Sequence, residues 1–220
     1  MPLSKFERFL PWTGLVAALC WIGHWFLDKV SASDEPGAAT PSFVNEHLNL
    51  NRGNQACLVV MGVALLFFAT AVRNLLRSGE AREGTYSTIA YAGWIVVVAG
   101  ISQMVAWGWA LINGAADAGD DTATHILSHG YYFAWAGMGV GLATALVAFG
   151  LGGIRNAVLP KWFAVISIVL GVLGALGNAG IPPGGLVNYL LLPLWLVTAS
   201  IVVARRQKRA ATTAPVLASA

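Results

Sequence analysis

The sequence predicts an all-α polytopic membrane protein: a bundle of six transmembrane helices with both termini on the cytoplasmic side. Six apolar runs carry the first half of that prediction, each near the roughly 20 residues needed to cross a hydrocarbon core of about 30 Å. The cations carry the second half. Alternation across six spans puts Lys5, Arg8, Arg73, Arg77, Arg82, Arg155, Lys161, Arg205, Arg206, Lys208 and Arg209 on one side, and only Lys29 and Arg52 on the other. Lys and Arg accumulate in cytoplasmic loops, so an 11-to-2 division of the 13 places both termini inside. Helices are the expected element because lipid offers the backbone no hydrogen-bond partner.

The first span is predicted over residues 9–27. Lys5 and Arg8 before it and Val30-Ser31-Ala32 after it imitate a signal peptide. The apolar stretch is too long and too rich in Trp for that, so it reads as a retained span. A long outer connection, 28–55, follows. Within it Thr40-Pro41 reads as an N-cap with Pro at the first helical position, opening a short amphipathic helix that lies along the interface as a partial lid. The second and third spans are predicted over 56–76 and 89–112, joined by a short inner loop.

The fourth span is predicted over 131–151, with 121–128 extending it outward beneath a cap at Asp120 or Asp121. Leu159-Pro160-Lys161-Trp162 opens the fifth, 162–181, with Pro in the first turn and Trp as interfacial anchor. The sixth, 186–204, contains the one mid-span proline, Pro193. Residues 1–204 thus form a single transmembrane domain, and 205–220 a basic, then Ala/Thr-rich tail expected to be disordered.

A hydrophobic fraction of 57% against 10% charged residues excludes an ordinary soluble domain. The basic residues sit at membrane boundaries and form no groove-reading motif, so no nucleic-acid partner is expected. No ionisable residue lies mid-span, which disfavours ion-coupled transport. There is no phosphate loop or nucleophile elbow. Cys20 and Cys57 read as small packing residues, with Cys20 a turn or two deeper than Cys57.

Candidate chemistry collects at the outer face. Seven of the ten acids (Asp28, Asp34, Glu35, Glu46, Asp117, Asp120, Asp121) and all four histidines fall there. Asp117, Asp121, His125 and His129 follow one another at intervals of four, which on a helix places them one turn apart along one face. Carboxylate and imidazole at that spacing suit a divalent transition metal or a charge-assisted hydrogen bond. His24 and Asp28 repeat the spacing at the outer end of span one. Capping and ordinary surface polarity account equally well for Asp near a helix start. A haem held between His24 and His129 is a lesser alternative.

Gln103 and Asn178 lie in the outer halves of their spans, where buried polar groups face a bundle interior or a wet cavity. Trp25, Trp107 and Tyr131 are near the same level, as aromatic belt or as pocket wall. Together they predict an outward-facing polar His/Asp pocket closed toward the cytoplasm. The expected function is a small membrane enzyme acting on a lipophilic molecule. His24, His125 and His129 would act as acid/base groups or metal ligands, Asp28 and Asp121 orient them, and Gln103, Asn178, Trp25, Trp107 and Tyr131 hold the substrate. The alternative is a non-catalytic binding protein, carrier or accessory subunit of a membrane complex. The sequence carries no signal of oligomeric state.

Asn51-Arg52-Gly53 before span two, Arg73 to Arg77 closing it, and Val158-Leu159-Pro160-Lys161-Trp162 opening span five give the layout a resemblance. It resembles a loosely defined group of six-helix membrane proteins common in high-GC Gram-positive bacteria, over about residues 9–204. That resemblance implies a fold and a bacterial membrane, and brings no activity with it.

Overall fold

The computed structural model describes residues 4–30, 39–81 and 83–213. Asp34, Glu35, Arg82, Ser31-Ala32 and the tail beyond 213 lie outside them. Among the described residues all regular structure is helical, in seven helices. Six are long and apolar enough to cross a membrane: α1 (Lys5–Leu27), α3 (Leu48–Arg77), α4 (Thr85–Ala115), α5 (Asp121–Arg155), α6 (Lys161–Asn178) and α7 (Gly184–Thr213). The short α2 (Pro41–Glu46) lies between the first two spans.

Each span begins or ends where the residues demand. Ser4 and Glu7 form a reciprocal capping box at the start of α1, and Pro11 sits in a 3₁₀ turn that α1 then continues past. The Thr40 hydroxyl accepts the Phe43 N–H at 3.3 Å, so the cap expected for α2 is formed. Asp120 accepts the Ala123 N–H at 2.9 Å and caps α5. At α6 the proline is the cap itself: Pro160 is extended, and its carbonyl receives the Phe163 and Ala164 N–H groups.

Neighbours in sequence are neighbours in space. α1 packs on α3, α3 on α4, α4 on α5, α5 on α6 and α6 on α7, and α7 returns to α1, closing an antiparallel ring. The helices α4 and α5 cross in backbone contact: a Cβ built on Gly93 would stand 2.5 Å from the Ala145 nitrogen, and one on Gly141 2.6 Å from that of Val97. In the half of the ring nearer the cation-rich connections, Phe68, Trp94, Phe149, Phe163 and Trp195 fill the centre, each ring within 6.2 Å of another. Trp195 also donates to the buried Ser167 hydroxyl at 2.8 Å. This aromatic plug closes one half of the bundle.

Several boundaries differ from the sequence reading. α3 begins eight residues before the expected 56, because Asn51, Asn54 and Gln55 interrupt the apolar run yet are each 1% exposed. That earlier start brings Cys57 level with Cys20, and the two thiols meet side by side across the α1/α3 interface. The expected difference in depth is thereby overturned. α7 runs on to Thr213 through Arg205, where disorder was expected to start, since Ala, Arg, Lys and Gln are strong helix formers. α2 docks on the protein, with Val44 fully buried against Leu111, Ile112 and Tyr131 and Asn45 donating to the Ala116 carbonyl.

Candidate functional site

The half of the ring opposite the aromatic plug holds a half-open cavity of about 350 Å³, lined by His24, Asp28, Met104, Tyr131, Tyr132, Trp135, Gly185, Leu186 and Tyr189. Four helices supply it. His24 and Asp28 come from the last turn and the C-cap of α1, joined by the Asp28 N–H donating to the His24 carbonyl. Tyr131, Tyr132 and Trp135 come from the point where α5 tightens into a 3₁₀ turn, Ala134–Met138. A 3₁₀ stretch inside a helix turns its side chains by a different angle per residue, and here it accompanies three aromatic side chains along one wall.

The polar end of the cavity is a hydrogen-bonded chain. The His24 Nδ1 lies 2.7 Å from the Asn54 Oδ1, and the Asn54 amide donates to the Tyr131 hydroxyl at 2.7 Å. With the amide set this way, Nδ1 is the donor to the Asn54 oxygen. The ring's Nε2 faces the Asp28 carboxylate at 4.0 Å. All four side chains are at least nine-tenths buried. Behind them the Tyr189 ring packs against Trp21, Trp25 and His24 at 5.4, 5.7 and 6.4 Å.

Of the predicted site residues, His24, Asp28 and Tyr131 line this cavity and Trp25 supports its wall. The others lie elsewhere. Trp107 covers Gly130, where a Cβ would approach its ring to 3.0 Å. Gln103 and Asn178 are exposed, with their amides over Gly137 and Gly139, where the 3₁₀ turn of α5 leaves no room for a Cβ. They pack against the break in α5 and do not reach the cavity.

Asp117, Asp121 and His125 are exposed and His129 half-buried. The two imidazoles stand 4.8 Å apart, and the His129 Nδ1 is 3.3 Å from the His125 carbonyl of its own helix. Asp117 does not belong to that helix at all. The end of α4 forms a π turn, Leu111–Ala115, and α5 begins only at Asp121, so the run of four-residue steps is broken. Among the described residues, no three His, Cys, Asp or Glu side chains are grouped to hold a metal ion. His24 and His129 do not share the cavity either, since His129 is absent from its lining.

The chain matches no family model, no curated protein and no solved structure.

Two residues central to the site escaped the sequence reading. Asn54 was assigned to a loop, although Asn51, Asn54 and Gln55 have the three- and four-residue spacing of one helical face. Tyr189 lay within an apolar run and carried no distinguishing signal.

Proposed function

We propose that the protein is a small membrane enzyme that takes a lipophilic molecule into the cavity and performs acid/base chemistry on its polar group at His24. The observation that carries this reading is the orientation of His24. Asn54 holds Nδ1, Nε2 lies beside the Asp28 carboxylate, and both His24 and Asp28 line the cavity. A base positioned by a second side chain, with an anion near enough to stabilise the imidazolium, is the arrangement proton transfer needs. Asp28 takes the stabilising role, and the Tyr131 hydroxyl joins the chain at its far end. The aromatic walls supply the apolar surface that retains the rest of the molecule.

The same reading places the protein in a bacterial cytoplasmic membrane with both termini inside and the cavity opening outward. The distribution of Lys and Arg supports that orientation. A non-catalytic binding protein, carrier or accessory subunit is the second reading. It is favoured by one observation: among the described residues no Ser, Thr, Cys or Lys lines the cavity.

The test is an incubation of the purified protein with a total lipid extract of its source cells, followed by untargeted mass spectrometry. An enzyme depletes one species and produces another, and a His24→Gln variant retains the ligand without converting it. Retention without depletion in the wild type supports the second reading. Leu186 lies at the exposed rim, so Leu186→Trp should block entry with little effect on folding. If wild type and Leu186→Trp retain the same molecules, both readings fail.

A further inference from the structure

We propose that the lipophilic molecule held in this cavity carries a carbonyl group, as a ketone or quinone does, whose oxygen accepts hydrogen bonds from the Tyr131 and Tyr189 hydroxyls. This rests on the reading of the cavity as a site for a lipophilic molecule and adds the chemistry of its polar group.

The two hydroxyls are donors in search of an acceptor. Tyr131 and Tyr189 belong to α5 and α7, both line the cavity, and Tyr189 stands within electrostatic reach of Tyr131. The Tyr131 oxygen already receives the Asn54 amide at 2.7 Å. Beside the Tyr189 hydroxyl is the ring N–H of Trp25, a group that only donates. Each hydroxyl thus has a donor next to its oxygen and one hydrogen of its own left to give. Among the described residues neither hydrogen has an acceptor. The Gln55 amide neighbours Tyr131, yet its oxygen takes part in no hydrogen bond.

A buried donor without an acceptor is costly, so the acceptor is expected to arrive with the ligand. A carbonyl oxygen offers two lone pairs and no hydrogen, and accepts from both tyrosines at once. A ligand hydroxyl or ammonium would bring more donors to a place that lacks acceptors. A carboxylate or phosphate would need a cation, and no Lys or Arg lines the cavity. Met104, Trp135 and Leu186 give apolar wall to the rest of the molecule. The cavity, about 350 Å³, falls at the lower end of small-molecule sites, roughly 300–1,000 Å³. Hydrogen bonds to a carbonyl oxygen also acidify the carbon beside it, which gives the proton transfer proposed at His24 an atom to act on.

The experiment uses two probes of one shape, 4-phenylcyclohexanone, isotope-labelled at the carbonyl carbon, and its hydrocarbon isostere 4-phenyl-1-methylenecyclohexane. Both are titrated against the full chain in maltoside micelles at matched micellar concentration, with tryptophan fluorescence as readout. The infrared C=O band of the bound ketone is recorded alongside. The wild type is expected to bind the ketone at least about fivefold more tightly than the isostere, with the band lowered from its frequency in protein-free micelles. Tyr131→Phe and Tyr189→Phe should each cut that preference several-fold and return the band part-way. The Tyr189 hydroxyl donates to no described residue, so Tyr189→Phe should fold and keeps the test decisive if Tyr131→Phe, which strands the Asn54 amide, does not. Leu186→Trp should abolish binding of both probes. Equal affinities in the wild type, or an unshifted band, overturn the carbonyl while leaving a lipophile site. A folded Phe variant at either position with the preference unchanged overturns the proposal, as does ketone binding that survives Leu186→Trp. No binding of either probe removes the cavity reading as well.

Discussion

Replacing Asn54 by Ala tests the polar chain at its centre. The substitution removes the acceptor for the His24 Nδ1 and the donor to the Tyr131 hydroxyl, both bonded at 2.7 Å. His24, Asn54 and Tyr131 are 5%, 1% and 2% exposed, so neither stranded group reaches bulk solvent. A buried polar group left without its partner costs about 1–3 kcal/mol, or about 2–6 kcal/mol for two. Water entering from the adjoining cavity can rehydrate one of them, which brings the expected loss to about 1–3 kcal/mol. The assay is reversible unfolding in mixed sodium dodecyl sulfate and maltoside micelles, followed by tryptophan fluorescence. A double-mutant cycle with Tyr131→Phe then isolates the Asn54–Tyr131 bond. Hydrogen bonds between membrane helices average about 0.6 kcal/mol and reach about 1.7 kcal/mol, so the coupling should fall in that interval. A coupling indistinguishable from zero would mean that the two side chains are not bonded, and the argument for a fixed His24 would fail with it.

Three further outcomes follow from the packing. Gly93→Ala puts a methyl group against the backbone of α5, which cannot rotate away, so it should lower stability by about 1–3 kcal/mol or more in the same assay; a neutral result would mean that the crossing is looser than described. Copper-phenanthroline oxidation should cross-link Cys20 to Cys57 within one chain, shifting mobility on a non-reducing gel in the wild type and not in Cys57→Ser. Failure to cross-link would remove the thiol contact. Replacing both His125 and His129 by Gln should leave retention of the cavity ligand unchanged, because neither residue lines the cavity; loss of the ligand would restore a role for the outer string.

The fold was legible from the sequence because membrane spans announce themselves by length and apolarity, which need no knowledge of tertiary contacts. All six appear, with ends displaced wherever a polar residue belongs to a helix. The start of α3 is the instructive case. Asn51, Asn54 and Gln55 lower the hydropathy of their segment, so an apolar-run criterion assigns them to a loop. In the folded protein their helical spacing turns them into the bundle, where burial and a hydrogen-bonded partner for Asn54 replace water. Hydropathy averages over the helix circumference and cannot distinguish a polar face directed inward from a polar loop. The same limit hid Tyr189, one more aromatic in an aromatic-rich chain, whose part depends on three rings packed around it.

His24/Asp28 and Asp121/His125 share one spacing and opposite fates, and the difference lies in what surrounds each helix end. α1 ends at Leu27 while still inside the ring, flanked by α3 and α7, so its last turn points His24 at Asn54 and Asp28 into the cavity. α5 begins at Asp121, about three turns before Tyr131 reaches the cavity, and that leading segment presents His125 to solvent. Four-residue spacing guarantees that two side chains share a helix face. Whether that face meets water or a neighbouring helix is decided by where the helix stops relative to the bundle. For this chain the informative position was therefore Asp28, an acid at the C-terminal end of a helix, where the backbone dipole disfavours it. A cap at Asp120 or Asp121 serves its own helix. Asp28 sits at the opposite pole of its helix, where it is buried and lines the cavity.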